Sequence, residues 1–577
     1  MNLSQLDWAV IGIYFLLSII IGILGAKQAG KDTRSFFLAS GNMPWWLLGI
    51  SMVATTFSTD TPNLVTDLVR QNGVSGNWVW WSFLLTGMLT VFVYAKLWHR
   101  SGVLTDVEFY ELRYSGKPAA FLRGFRAIYL GLIFNVLVMG SVSLAAIKFG
   151  EIILGWPGWL TLVIACSITL LYSTLGGLRA IIITDFFQFI LAMTGSVWGC
   201  LYILDLEQIG GIQNLIAHPH VKDKISLLPD LSNPDIWVPT LFIPLAVQWW
   251  ASYYPGAEPG GGGYIAQRML SSKNEVNAIG ASLLFNIAHY AIRPWPWILI
   301  ALSSLIIFPD LSDIQYKFPD ISEDKLGHDI AYPAMLTLLP SGLLGLVAAS
   351  LIAAFMSTMS TQVNLGASYL VNDFYHRFIN PNASQKKLVL VGRVFTVFSI
   401  VLGAITGLLL TSAEQAFSLL LLLGSGTGLI YILRWFWWRI SAYTEIIAMV
   451  SSLIIASYLN FINESLLGWQ KIVIGALVTT SVWVIATFLA PKENRQTLEK
   501  FVKKINPGGP GWKMYSDFKI DDKWSLPNSL LLMFLGTVFV FSVLLGMGNI
   551  LYSELLAGSI LFVVGGISAL GIYRLWK

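Results

Sequence analysis

Charge is scarce in this chain of 577 residues: Asp, Glu, Lys and Arg together make up 12% of it, against 55% hydrophobic residues. No soluble domain has that balance, and no polar stretch exceeds about 35 residues, too short for an independent core. Cysteine is nearly absent. Cys166 and Cys200 fall in separate apolar runs, which excludes a disulfide framework and a zinc spacing. A phosphate-binding loop is lacking, so ATP-driven work has no motif here, and the apolar runs carry neither clustered His and Asp ligands nor a nucleophile motif. A net charge of +4 supplies no basic face for nucleic acid, and no segment marks an obligate protein partner.

Long apolar runs are present instead. About fifteen recur from end to end, each near the ~20 residues that cross a bilayer's hydrocarbon core. They lie at roughly 7–26, 43–70, 75–98, 118–150, 155–173, 179–205, 236–265, 276–306, 336–372, 386–411, 413–435, 443–461, 468–490, 527–548 and 553–574. Such lengths predict an all-α polytopic membrane protein; a transmembrane barrel would show alternating segments of about ten residues. The first run has no basic stretch before it and no small-residue cleavage site after it, so a retained helix is expected. Alternate connections carry the bases: Lys27, Lys31 and Arg34, then Lys96, Arg100, Arg113, Lys117 and Arg123, then Arg377, Lys386 and Lys387. The opposite set is acidic, with Asp310, Asp313, Asp320, Glu323, Asp324 and Asp329. That asymmetry predicts a cell-membrane protein with its N-terminus outside and its C-terminus in the cytoplasm.

Two runs interrupt themselves. The second, GISMVATTFSTDTPNLVTDL (Gly49 to Leu68), holds the polar series Thr55 to Thr61 ended by Pro62. The seventh contains WASYYPGAEPGGGGYIAQR (Trp250 to Arg268), with two prolines, Glu258 and four glycines where a helix should pass mid-membrane. Backbone unwinds at that depth only where protein or a water-filled cavity covers it. The two breaks are five runs apart, each opening a block of five, and paired interruptions in two halves point to an inverted-repeat secondary transporter. Kinks and close-packing positions are the plainer reading of either break alone. On the ninth run Ala354, Ser357, Thr358 and Thr361 recur at i, i+3, i+4 and i+7, one helical face. Those hydroxyls suit either interhelical hydrogen bonding or, with carbonyls freed by a break opposite, a hard cation such as sodium.

Asp60 and Glu258 sit in the breaks, where a carboxylate is costly unless paired or wet. For Glu258 the alternative is a position near the cytoplasmic face, solvated by water. Arg293, with His289 in NIAHYAIRPWPW, needs a carboxylate partner, and Glu258, Asp60 or an anionic solute are the options. His289 reads as a packing residue rather than a proton relay. Of the tryptophan clusters, Trp80 and Trp250 are the members placed to face a cavity, while the rest suit interfacial belts.

The segments FFLASGNMPWWLLGISMVATTFS (Phe36 to Ser58), YSTLGGLRAIIITDFFQF (Tyr172 to Phe189), YIAQRML (Tyr264 to Leu270) and AAFMSTMSTQVNLGASYLVNDFY (Ala353 to Tyr375) resemble the sodium/solute symporter family of sugar, proline, pantothenate and sialic acid carriers. The resemblance implies the leucine-transporter fold: two inverted five-helix repeats, about 43–205 and 236–440, forming a transport core over 43–440. An extra N-terminal helix lies within 1–42, and about four extra helices within 441–577 include a basic loop near 491–526. It further implies Na+ as coupling ion, held by the backbone carbonyls of Ala54, Phe57 and Ala354 and the hydroxyls of Ser357 and Thr358. Asp185 takes the place of the family's acidic residue beside the sodium path. Trp80 and Tyr290 stand where family sugar carriers place a glutamate and a lysine. Asp60, Thr61, Trp80, Tyr254, Glu258, Tyr290 and Arg293 are the candidates to meet a small solute, a sugar derivative ahead of a carboxylate or an amino-acid-like molecule. The function expected is sodium-coupled import by alternating access rather than enzyme catalysis, with a transporter-like sensor or channel as the alternative.

Overall fold

In the computed structural model, residues 3–29, 31–319, 321, 325–411, 426–461, 465–518 and 525–576 are described, and their regular structure is helical. Eleven helices among them are long and apolar enough to cross a membrane. Of the fifteen expected runs, the second and seventh divide into shorter pieces, and the fifth and sixth continue as one helix. The eleventh, 413–435, lies mostly outside the described residues, which show only Gly428–Leu433 of it as helix.

The chain begins with α1 (Gln5–Ala29) and then enters the first interrupted run, α2 (Trp45–Thr56) and α3 (Asp60–Asn72). Phe57, at φ −99° and ψ 107°, ends α2, because Pro62 in the first turn of α3 has no N–H to carry a helix through. α4 (Val74–Ser101) and α5 (Gly116–Leu154) follow. The joined fifth and sixth runs form α6 (Gly158–Leu204), broken once at Gly177, whose φ of 56° and ψ of −165° suit only glycine. The second interrupted run comprises α7 (234–251), an unwound stretch over 252–262, and α8 (Gly263–Leu270). Beyond lie α9 (Glu275–Ile307), α10 (Leu343–Ile379), α11 (Gln385–Leu409) and, after Gly428–Leu433, the C-terminal helices α12 (Ala442–Phe461), α13 (Gly468–Leu489), α14 (Arg495–Ile505), α15 (Leu526–Leu551) and α16 (Leu555–Leu575).

α10 is buried along most of its length, between α6, α1, α5 and α11; α1 and α16 turn most of their apolar surface outward. α2 packs on α9 and α6, so the first break meets α10 from one side and α9 from the other. Asp7 of α1 accepts from the backbone N–H groups of Gly342 and Gly345, both at 2.7 Å, where its charge also suits the positive end of α10. At the other end of α10, Asp373 takes Arg123 and Thr105 at 2.7 and 2.6 Å, while Glu111 takes Arg123 and Arg377 at 2.7 and 2.9 Å. Both ends of the central helix are therefore tied to neighbours.

Candidate functional site

The two breaks lie against each other. The Thr56 and Tyr264 hydroxyls meet at 2.7 Å, joining the last residue of α2 to the start of α8. A helix that stops inside a membrane leaves its terminal carbonyls without partners, and each needs one. Arg293, from the π-helical turn of α9 before Pro294, donates to two carbonyls of this end: Nη1 to Val53 at 3.0 Å, beside the Phe57 N–H that Val53 also accepts, and Nη2 to Thr56 at 3.1 Å. Its guanidinium also lies over the rings of Trp297 and Phe57, 5.5 and 5.9 Å from their centroids. Thr358 of α10 donates to the Thr55 carbonyl at 2.7 Å. The Ala54 and Phe57 carbonyls accept no hydrogen bond among the described residues. Arg293 is thus a cap on a broken helix and forms no ion pair with Glu258 or Asp60; both carboxylate pairings considered from sequence are replaced by carbonyls.

The hydroxyl face of α10 is divided among three neighbours. Ser357 donates to Asp185 at 2.7 Å, and Ser51 of α2 donates to the other carboxylate oxygen at 2.5 Å. Arg268 stands 3.7 Å from Asp185 and donates to Thr361 at 2.7 Å. Thr358 faces the break, and Ala354, one turn before it, is buried as well. α6, α2, α8 and α10 therefore converge on Asp185, although the four lie far apart in the chain.

Beside the breaks opens a cavity. Asp60, Thr61, Trp80, Tyr254, Tyr290 and Arg293 line it, together with Thr56, Ser141, Tyr264, His289 and Gln362. Its aromatic wall is ordered: Trp80 stacks on Tyr290 with centroids 5.9 Å apart and 26° between planes, and Tyr254 on Phe83 at 5.3 Å and 9°. Trp80 is oriented by its Nε1–H, which donates to Asn77 at 2.8 Å. Asp60 opens α3, where the helix dipole favours its charge, with Ser141 at 3.5 Å. His289 packs among Phe285, Tyr290 and Trp80, and its Nδ1 has no partner.

Two sequence expectations change here. Glu258 does not line this cavity; it is 4% exposed, folded under the unwound stretch, and is not solvated. Trp250 also stays outside it, with Nε1 donating to Ala246 at 2.7 Å. Gln362 is a cavity residue that the sequence reading missed, although it lies one turn beyond Thr358 on the same face. Ser141 carried no such signal. The glycines of the second break are explained by contact: Gly256 has φ 83°, and a Cβ there would stand 2.2 Å from the Tyr264 hydroxyl.

A profile of the sodium:solute symporter family matches residues 36–454. The chain belongs to that family. It is accordingly a sodium-coupled secondary transporter of the membrane, using Na+ and a small solute, and not an enzyme. A sodium/mannose cotransporter of Bos taurus is 28% identical over 426 residues, covering 69% of this chain and 68% of its own. A sodium/glucose cotransporter of Vibrio parahaemolyticus is 27% identical over 487 residues, covering 81% and 87%. Among solved structures, a Na+-coupled sialic acid symporter in a substrate-bound outward-open state superposes with a TM-score of 0.68 at 18% identity, over 85% of this chain and 99% of that one. That likeness carries the fold, two five-helix halves of the leucine-transporter type, into which the paired breaks fit as the first helix of each half.

Proposed function

We propose that this symporter holds Na+ between the carbonyls of Ala54, Phe57 and Ala354 and the hydroxyls of Ser357 and Thr358, and binds a sugar or sugar derivative in the adjoining cavity. One observation carries the ion site. The hydroxyl protons of Thr358 and Ser357 are committed to the Thr55 carbonyl and to Asp185, so each oxygen has only lone pairs to offer, beside two unclaimed carbonyls. Five neutral oxygens of this kind suit a hard monovalent cation. Asp185, hydrogen-bonded to Ser357, stands behind the ion as the acidic step on its path to the cytoplasm.

For the solute, the support is the stacked aromatic wall of Trp80, Tyr290, Phe83 and Tyr254, which suits the apolar faces of a sugar ring. Asp60, Thr61, Gln362 and Tyr264 supply hydrogen-bonding groups around it. The relatives' names, sodium/mannose and sodium/glucose cotransporter, favour the same class. The protein sits in the cell membrane with its N-terminus outside, so that sodium and solute enter together. Each charge moved contributes about 2.3 kcal/mol per 100 mV, enough to concentrate a neutral solute tens-fold. Uptake of radiolabelled mannose, glucose, myo-inositol and sialic acid into proteoliposomes, under inward sodium and inward choline gradients, tests this. Accumulation of one of them with sodium alone is expected; accumulation of none, in protein that still binds sodium, removes the sugar class.

A further inference from the structure

The stretch Pro255 to Gly263 remains to be accounted for, because Glu258 at its centre does not reach the solute cavity. Glu258 lines a second, smaller pocket that shares Val138, Pro255, Tyr264 and Gln362 with the solute cavity. Asp106, also buried, does not line it but holds Gly263, which does. Asp106 is explained locally: it accepts the Gly263 N–H at 2.9 Å, at the first residue of α8. Glu258 has less. One oxygen accepts the Gly256 N–H at 3.1 Å; the other lies against Gly263, where a Cβ would come within 2.2 Å of it.

Among the described residues, Arg434 and Arg126 act on Asp106, and no cation faces Glu258. Neither carboxylate forms an ion pair among them. Arg434 is taken by Glu445 at 3.5 Å, and Arg126 lies against the rings of Tyr253 and Tyr431 at 5.4 and 5.0 Å. A buried carboxylate without a counter-charge is costly, and so is each buried polar atom without a partner. The same pocket contains such atoms. Asn135, 3% exposed, commits its amide N–H to the Gln362 carbonyl at 2.7 Å, which leaves its Oδ1 as the unpartnered group. The Tyr369 hydroxyl, 2% exposed, faces Asp106 without meeting hydrogen-bond geometry. With the Tyr369 O–H turned toward Asp106, the oxygens left facing the pocket are acceptors beside the Glu258 charge, and what they lack is a positive ion.

We propose that Glu258, the Asn135 Oδ1 and the Tyr369 hydroxyl form a second sodium site beneath the solute cavity, filled through it. A single uncompensated carboxylate with neutral oxygens matches a monovalent ion better than calcium, which takes 6–8 oxygens and usually several carboxylates. An unwound helix that brings its own carboxylate to such a pocket also couples the ion to the position of Tyr254, four residues upstream in the cavity wall. The site rests on the sodium-coupled reading of the first break but not on its residues.

Direct 22Na+ binding to the purified full-length protein, without solute, tests it. Wild type should bind two sodium ions. Glu258→Gln should bind one, Ser357→Ala with Thr358→Ala should bind one, and the three together none, each judged on monodisperse protein. Asn135→Leu, which removes the neutral oxygen and leaves the carboxylate, should weaken one of the two sites at least tenfold. A wild-type count of one overturns the second site, as does a folded Glu258→Gln protein that still binds two. A Glu258→Gln protein that keeps both ions but loses pH dependence of uptake makes Glu258 a proton site, which also overturns it. If the Ser357 and Thr358 pair retains two ions while Glu258→Gln loses one, the first site fails and the second stands.

Discussion

Arg293→Lys isolates what the guanidinium fork does for the first break. Two nitrogens of Arg293 reach two carbonyls three residues apart, Val53 at 3.0 Å and Thr56 at 3.1 Å. Lysine keeps the positive charge, and with it the local field, but presents one compact ammonium on a flexible stem. It reaches one carbonyl and leaves the other to its remaining neutral donor, the Phe57 N–H at Val53 or the Thr61 hydroxyl 3.4 Å from Thr56. A hydrogen bond from a charged donor contributes about 1.5–3 kcal/mol, which is roughly ten- to 150-fold in any equilibrium that needs the helix end held in place. Sodium binding is such an equilibrium, since the Ala54 and Phe57 carbonyls alternate along the chain with those Arg293 holds. The half-saturating sodium concentration for 22Na+ binding is therefore expected to rise tenfold or more, with a lower melting temperature in the same protein. Arg293→Met removes both bonds and should fail to assemble. A lysine variant that melts with wild type and binds sodium within twofold of it would refute the role of Arg293 as the clamp on the break.

Ser357→Ala with Thr358→Ala should reduce sodium-dependent stabilisation in thermal melts to the part left by the Glu258 site while the protein remains monodisperse, since Asp185 keeps Ser51 as a donor. Gly256→Ala places a side chain at φ 83°, costing about 1–2 kcal/mol in backbone strain, and drives a methyl into the Tyr264 hydroxyl. A lower melting temperature and loss of uptake are expected, and wild-type uptake would show that the Thr56–Tyr264 contact does not join the breaks. At the end of α10 that carries Asp373, burial raises the Glu111 carboxyl, but Arg377 and Arg123 outweigh it and hold it below the ordinary range. A depressed carboxylate stabilises fully above its unfolded value, near 4.3, and loses that contribution as pH falls through its folded one. Melts of Glu111→Gln should thus fall below wild type at pH 7 and converge with it as pH falls through the depressed folded value, beneath the ordinary carboxylate range; a gap independent of pH would refute the ion pairing.

Local sequence properties carried much of this protein. Apolar run length decides how many segments can cross a bilayer, Pro62 and the Pro255–Gly263 stretch forbid a continuous helix whatever surrounds them, and a 3.6-residue repeat puts Ala354, Ser357, Thr358 and Thr361 on one face. These follow from backbone chemistry within a few residues, so they were legible without a partner in view. What each polar group meets was not. Arg293 suggested a carboxylate and found two carbonyls, because α9 packs against the end of α2. Trp80 and Trp250 had equal claims on the cavity, and only Trp80 faces it, because Asn77 orients one indole and the Ala246 carbonyl draws the other away. Glu258 stood at the centre of the second break in sequence, yet the fold turned it under the glycines, away from the aromatic wall. Direction at a broken helix is set by the neighbours that close over it, and those come from α5, α9 and α10, segments that only the tertiary structure brings together.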